Sequence, residues 1–113
     1  RINFILSTTL KQTSNFITEY PNTFIISSLE HVILKIKDLS AQRPLNKGFI
    51  IGGSSLYKEA LNYFYIRKLH ISYINKEYDC DTYFPLESLK ENFKIEECSQ
   101  FTDFTYICYN HKN

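Results

Sequence analysis

The fold is decided by one stretch of the sequence, Phe49-Ile50-Ile51-Gly52-Gly53-Ser54-Ser55-Leu56-Tyr57. Its first three residues form a continuous apolar run of the kind that makes a buried parallel strand. After the two glycines, Leu56, Ala60 and Leu61 share one face of a helix. The stretch therefore predicts a strand, a glycine turn and a helix.

Two consecutive glycines at this turn let bare backbone come close to a ligand. Free N–H groups and the positive end of a helix favour an anionic group such as a pyrophosphate. The spacing matches neither the dinucleotide fingerprint G-x-G-x-x-G nor the P-loop, and two glycines before an N-cap serine also suit a plain tight turn. The residues alone leave both interpretations open.

The sequence before this stretch predicts two further strands and a helix. Apolar, β-favouring runs at residues 2–6 and 24–26 predict strands, with a loop at residues 11–22 between them. Ser28 precedes apolar residues at positions 29, 32, 33 and 36, which predicts a helix with Ser28 as its N-cap. Residues 40–47 are predicted as a polar connection.

The sequence after this stretch completes a sheet. Residues 68–74 are rich in β-favouring side chains, and the alternation of strands and helices implies a mostly parallel central sheet. Residues 93–97 and 104–109 are joined by a short connection, which predicts an antiparallel pair at the carboxyl-terminal edge. The expected fold class is α/β with three layers.

Composition narrows the function classes. The 113 residues are 43% hydrophobic and 16% aromatic, enough for a packed core within one domain. A net charge of +1 with scattered Lys and Arg argues against nucleic acid as a partner. No apolar run reaches the roughly 20 residues that a membrane span needs, and we expect no leader before the first strand. We therefore expect no membrane partner.

Cysteine and histidine spacing predicts no metal site. Cys80, Cys98 and Cys108 are odd in number and widely spaced, so we interpret them as reduced thiols in a cytoplasmic protein. His31 and His111 lack metal-ligand spacing, and His70 is interpreted as a hydrogen-bonded strand residue.

Four blocks, read in order, carry a resemblance over essentially the whole chain. They are Arg1-Ile2-Asn3-Phe4-Ile5-Leu6-Ser7, then Ile51-Gly52-Gly53-Ser54-Ser55-Leu56-Tyr57-Lys58-Glu59-Ala60-Leu61, then Cys80-Asp81-Thr82-Tyr83-Phe84-Pro85, and finally Tyr106-Ile107-Cys108-Tyr109. In order and separation they resemble the carboxyl-terminal part of dihydrofolate reductases of the eukaryotic type. The resemblance implies reduction of dihydrofolate to tetrahydrofolate with hydride from NADPH.

The resemblance implies four substrate-binding residues. Arg1 matches the arginine that clamps the α-carboxylate of the substrate's glutamate, a task suited to a bidentate guanidinium. Ile51 matches the residue whose carbonyl accepts a hydrogen bond from the pterin ring, and Tyr57 the aromatic residue that closes over the pterin and the nicotinamide. Ser72 stands where the family has a threonine that holds the pterin through a water and an acidic residue.

The resemblance also implies a cofactor site around the glycine turn. Gly52 and Gly53 match a pair that the family joins by a cis peptide bond, and Ser54, Ser55 and Leu56 would cradle phosphates and ribose. The full expected cofactor set is Leu6, Ser7, Thr8, Thr9, Ser27, Gly52, Gly53, Ser54, Ser55, Leu56, Tyr57, Lys58 and Glu59.

Two positions depart from the vertebrate-type pattern. Thr8 and Ser27 stand where that pattern has arginines that grip the 2′-phosphate of NADPH. Each lost guanidinium removes charge-assisted bonds worth on the order of 1.5–3 kcal/mol. The residues therefore leave open whether NADPH is preferred to NADH.

The family's proton-delivering carboxylate has no counterpart in residues 1–113. Asp81 is a loop residue beside a threonine, so we do not assign it as the acid. We expect the catalytic groups upstream of Arg1, in a missing amino-terminal half of the same domain. We also expect residues 1–113 alone to be inactive and either poorly folded or dimeric. A thymidylate synthase domain fused elsewhere remains a further expected partner.

Two other functions stay open from the residues. One is a non-catalytic remnant of this fold that acts as a binding or structural partner, with Thr8 and Ser27 as signs of a decayed cofactor site. The other is a pyrimidine reductase of riboflavin synthesis, which shares the glycine turn. The block at residues 81–85 favours the folate branch.

Overall fold

The computed structural model describes residues 1–62 and 66–112. The chain divides into two compact units, Arg1–Gly48 and Phe49–Asn113. Its strands are β1 Asn3–Leu6, β2 Thr23–Ile26, β3 Lys68–Ile74, β4 Phe93–Gln100 and β5 Phe104–His111. Its helices are α1 Ser14–Glu19, α2 Leu29–Gln42, α3 Ser54–Ala60 and α4 Glu87–Asn92.

The first unit is built on a parallel pair of strands. β1 and β2 run side by side in register from Asn3 opposite Thr23 to Leu6 opposite Ile26. The rings of Phe4 and Phe24 stack across the pair, with their centroids 5.8 Å apart. This pairing confirms the two strands predicted from residues 2–6 and 24–26.

Helix α2 follows β2 and contributes buried side chains to the first unit. The Ser28 hydroxyl accepts a hydrogen bond from the His31 N–H at 3.2 Å, which confirms Ser28 as N-cap. Leu29, Val32 and Leu39 are buried along one side of the helix. The helix continues through residue 42, so the connection predicted to start at residue 40 starts later, at the Arg43-Pro44 pair.

A short helix replaces part of the loop predicted at residues 11–22. Thr13 caps α1 by accepting a hydrogen bond from the Phe16 N–H at 3.2 Å, and the rings of Phe16 and Tyr20 lie 5.1 Å apart one turn along. α1 buries no residue completely, so it lacks the apolar stripe by which a longer helix is predicted. The prediction of a continuous loop was wrong here.

The second unit contains an antiparallel sheet in the order β3-β5-β4. β5 pairs with β3 along its whole length and with β4 on its other edge, so the predicted carboxyl-terminal pair is confirmed. Among the described residues β3 pairs only with antiparallel β5, on one of its two edges, and no parallel neighbour lies on the other. Leu89, Phe93 and Cys108 form the buried positions of this sheet and of α4.

The glycine turn is followed by the predicted helix, but the residues before the turn do not form a paired strand. α3 begins at Ser54 and ends at Ala60, which confirms the helix. Residues 49–51 have no strand pairing, and the side chains of Phe49 and Ile51 are 71% and 89% exposed. The predicted strand is therefore absent: an apolar run becomes a strand only where a neighbouring strand supplies its hydrogen bonds.

Helices combined with one parallel and one antiparallel sheet make this an α/β fold, as the sequence predicted. In the part of the chain that the structure describes, every helix is too short or too polar to cross a bilayer.

Candidate functional site

The glycine turn has the backbone that the resemblance implies. The peptide bond between Gly52 and Gly53 is cis, which confirms the expected bond, and Gly52 has a φ of 129°. Side chains rarely tolerate this region of backbone conformation, so a glycine is required at position 52. The hydroxyl of Tyr57 lies 3.6 Å from the place where a Cβ on Gly52 would stand.

The turn offers hydrogen-bond donors that nothing within the described chain uses. The Gly53 carbonyl accepts the first helical bond, from the Tyr57 N–H at 2.9 Å. Across residues 1–62 and 66–112, the backbone N–H groups of Ser54, Ser55 and Leu56 have no hydrogen-bond acceptor. A Cβ on Gly53 would meet no atom of a described residue within 4 Å. Bare backbone, free N–H groups and serine hydroxyls together fit a phosphate-bearing group.

A loop from residues 75–86 braces this turn. The Thr82 hydroxyl donates a hydrogen bond to the Ser54 hydroxyl at 2.9 Å. The Phe84 ring meets Tyr57 edge to face, with the centroids 5.7 Å apart. Neither loop residue was predicted from the sequence to take part in the site. The only signal was the block at residues 81–85, which was used for the resemblance alone.

Other expected cofactor residues meet at the carboxyl end of the parallel pair. The Ser7 N–H donates to the Ile26 carbonyl at 3.0 Å, which brings the Leu6–Thr9 segment beside Ser27. The carboxyl ends of parallel strands are where α/β sheets bind ligands. The N–H groups of Thr9 and Leu10 donate to the Ser7 hydroxyl oxygen at 3.2 and 3.0 Å, so its lone pairs are committed to the turn. Thr8 and Ser27 are exposed.

Arg1 lies at the opposite end of the same strands. It is exposed and precedes β1, whereas Ser7 follows β1 directly. Arg1 lines a hollow together with residues from the start of β2 and the end of α2. The expected substrate clamp and the expected cofactor residues of this unit are thus separated by the length of a strand.

Ile51 and Tyr57, two residues expected to contact the pterin, lie in the second unit. The Ile51 carbonyl accepts no hydrogen bond from any described residue, so it is available to a ligand. Tyr57 is half-buried against Phe84. Lys58 and Glu59 of the cofactor set are exposed on the following turn of α3.

Ser72 points to an exposed, polar face of β3. It lies directly opposite Tyr106 on β5, and His70 on the same face bonds the Tyr106 hydroxyl through Nδ1 at 2.7 Å. His70 is therefore a hydrogen-bonded strand residue, as predicted. Further along, Lys68 Nζ lies 2.9 Å from a Glu96 carboxylate oxygen, a contact that raises the pKa of the lysine and lowers the pKa of Glu96.

The other face of the sheet carries a tyrosine pair. The hydroxyls of Tyr73 and Tyr109 lie 2.7 Å apart. Burial, followed by this hydrogen bond, raises the pKa of Tyr73 to about 12. The phenol therefore stays protonated at neutral pH and serves the packing of the sheet. Across residues 1–62 and 66–112, no three His, Cys, Asp or Glu side chains gather as a metal site would require.

Comparison with known proteins assigns the family. The model of the family described as dihydrofolate reductase matches residues 1–111. A bifunctional dihydrofolate reductase-thymidylate synthase of Plasmodium chabaudi is 40% identical over 99 residues, which cover 88% of this chain and 16% of that protein. A dihydrofolate reductase of Sus scrofa is 32% identical over 99 residues, covering 88% of this chain and 50% of that protein.

A viral dihydrofolate reductase of Saimiriine herpesvirus 2 (strain 488) is 35% identical over 95 residues, covering 84% of this chain and 42% of that protein. The chain thus spans half or less of the length of these relatives. The family match covers nearly all of the chain and agrees with the cis glycine pair and the α/β fold. The chain belongs to the dihydrofolate reductase family.

Proposed function

We propose that the protein to which this chain belongs reduces dihydrofolate to tetrahydrofolate with hydride from NADPH. The observation that carries this proposal is the glycine turn. Gly53 leaves open space beside the backbone, and the N–H groups of Ser54, Ser55 and Leu56 have no acceptor among the described residues. Such a turn binds a pyrophosphate without any charged side chain. When bound, NADPH supplies the hydride.

The residues on the pterin side hold and orient the substrate. The Ile51 carbonyl accepts a hydrogen bond from the ring, and Tyr57 covers the pterin and the nicotinamide. Ser72 contributes a hydroxyl through a water, and Arg1 pairs with the glutamate carboxylate. These contacts fix the distance between the two reactants, which is the main contribution that binding makes to hydride transfer.

In this proposal the protein discriminates between NADPH and NADH less strongly than family members that have arginines at both positions. Thr8 and Ser27 lie exposed at the carboxyl end of the β1–β2 pair and present hydroxyls rather than guanidiniums. A hydroxyl still donates to a 2′-phosphate but adds no charge. NADPH therefore remains the cofactor in our proposal, and NADH competes with it more closely.

The proton donor comes from outside these residues. We place residues 1–113 as the carboxyl-terminal part of one domain, whose amino-terminal half supplies the carboxylate that holds the pterin. Residues 1–113 alone therefore do not turn over. A fused thymidylate synthase domain is a further proposed partner, since relatives from Plasmodium carry that name. Free Cys80, Cys98 and Cys108 favour the cytoplasm as the compartment.

A fluorescence titration of the complete protein tests the proposal. Dihydrofolate and NADPH are expected to tighten each other's binding, because their reacting rings share one site. The titration is run with each ligand alone and then with the other at saturation. A complete protein that leaves NADPH and NADH unbound at millimolar concentration refutes the reductase. Tight binding of both ligands without turnover supports the non-catalytic remnant instead.

Gly53→Ala is expected to weaken NADPH binding roughly tenfold while leaving the melting temperature unchanged. Among the described residues a Cβ at this position meets no atom within 4 Å, so we expect the loss to come from contact with the bound ligand. Isothermal titration and thermal melts of the complete protein measure the two effects separately. Unchanged NADPH affinity would mean that the dinucleotide does not approach this turn.

A further inference from the structure

His70 and Tyr106 form a pair on the face of the antiparallel sheet that carries Ser72. Ser72 lies directly opposite Tyr106, and His70, two positions earlier on β3, lies opposite Cys108. These four side chains share one face, because side chains alternate along a strand. All four residues belong to the unit Phe49–Asn113.

The Tyr106 side chain leans along the sheet instead of covering its direct neighbour. Its hydroxyl lies 2.7 Å from His70 Nδ1, and the two rings are nearly parallel, with their centroids 6.1 Å apart and 10° between their planes. Diagonal neighbours of an antiparallel pair lie about 7–8 Å apart, a distance that an aromatic side chain spans. The Tyr106 hydroxyl is thus held at position 70 and away from position 72.

This arrangement leaves the Ser72 hydroxyl open. Within residues 1–62 and 66–112 that hydroxyl makes no hydrogen bond, and Ser72 is exposed. Directly opposite side chains of an antiparallel pair have Cβ atoms about 4.5–5.5 Å apart, so a Tyr106 ring without its partner at position 70 has room to turn over the serine. The hydrogen bond to His70 therefore decides whether Ser72 is covered.

Two charged neighbours on this face hold each other. Lys68 Nζ lies 2.9 Å from a Glu96 carboxylate oxygen, and the Cys108 thiol donates to the same oxygen at 3.6 Å. These bonds tie Lys68 and Glu96 to partners other than Tyr106. His70 is consequently the group on this face that fixes the position of the Tyr106 hydroxyl.

We propose that His70 is a positioning residue for the pterin site, which holds the Tyr106 ring away from Ser72 and so keeps the serine hydroxyl accessible to the ligand. This proposal rests on the proposed function, in which Ser72 contacts the pterin through a water. His70 itself touches no ligand in this proposal. Its effect reaches the pterin through Tyr106 and Ser72.

A purely structural role for the same pair has a different signature. A cross-strand hydrogen bond stabilises the sheet, and its loss then lowers the melting temperature without distinguishing the pterin from the dinucleotide. The positioning role instead affects the binding of dihydrofolate and spares NADPH, whose proposed site is the glycine turn.

The first experiment titrates dihydrofolate and NADPH separately against variants of the complete protein. His70→Phe keeps an aromatic ring but loses the hydrogen bond, and it is expected to weaken dihydrofolate binding about three- to tenfold and NADPH binding less than about twofold. His70→Gln offers the Tyr106 hydroxyl a new amide partner and is expected to restore dihydrofolate affinity to within about twofold of the unaltered protein.

The second experiment repeats His70→Phe in a protein that already carries Tyr106→Ala. With no ring left to hold, His70→Phe is expected to change dihydrofolate affinity by less than about twofold in this background. Tyr73→Phe is the matched control, because it removes a 2.7 Å hydroxyl contact with Tyr109 from the opposite face of the same strands. It is expected to leave the affinities for both ligands unchanged.

Three results would overturn the positioning role. They are unchanged dihydrofolate affinity in His70→Phe, equal losses for the two ligands, and the same loss in His70→Gln as in His70→Phe. If one of these appears while Ser72→Ala weakens dihydrofolate alone, His70 has no such role and the reductase stands. If the unaltered protein binds neither ligand, both proposals fall.

Discussion

Gly52→Ala is expected to lower the free energy of unfolding of the complete protein by about 1–3 kcal/mol and to weaken NADPH binding with it. Gly52 has a φ of 129°, where a residue with a Cβ is strained whatever space surrounds it. The added Cβ would stand 3.6 Å from the Tyr57 hydroxyl, an ordinary contact distance. The cost therefore arises from the backbone and not from crowding. Urea denaturation measures it.

Gly48→Ala is the matched control for this change. In the part of the chain that the structure describes, a Cβ on Gly48 meets no atom within 4 Å, and the glycine is exposed. The same substitution there is expected to change the unfolding free energy by no more than about 0.5 kcal/mol. Equal losses at the two positions would show that residue 52 does not need its unusual backbone conformation.

Phe93→Ala is expected to cost about 3–5 kcal/mol of the unfolding free energy. The ring is only 5% exposed and meets His111 edge to face, with the centroids 5.1 Å apart. The Phe93 N–H also donates to the Leu89 carbonyl, so the residue joins α4 to the first position of β4. Truncation leaves a cavity at this junction. Guanidinium denaturation of the complete protein gives the loss.

Ile95→Ala tests whether burial is the cause. Ile95 lies two residues along the same strand but is 60% exposed. Its truncation is expected to change the unfolding free energy by about 0.5 kcal/mol or less. A loss at Ile95 as large as that at Phe93 would contradict the burial found at these two positions.

The sequence predicted those helices and strands that are determined by residues close to one another in the chain. The Ser28 cap and the apolar spacing after it predicted α2, because both act within one or two turns of chain. α1 was missed because its signals are a Thr13 cap and one aromatic pair, with no buried stripe. Residues 49–51 have the composition of a strand but no pairing, and a pairing partner is not encoded in three residues.

The site was predicted by family resemblance more than by spacing. Gly-Gly before a serine is compatible with a plain turn, and only the neighbouring blocks indicated a dinucleotide site. The contacts of Thr82 with Ser54 and of Phe84 with Tyr57 join residues 28 and 27 positions apart. No local pattern reports such pairs.

The hydrogen bond between Thr82 and Ser54 has a direction, and the direction matters for an anion. Thr82 is the donor, so one lone pair of the Ser54 oxygen is occupied while the serine keeps its own proton. A hydroxyl that already accepts a bond is polarised and becomes a stronger donor. Among the described residues the Ser54 hydrogen has no acceptor, so in the proposed cofactor site it would be free to bind a phosphate oxygen, while Thr82 would hold the serine without contacting the ligand.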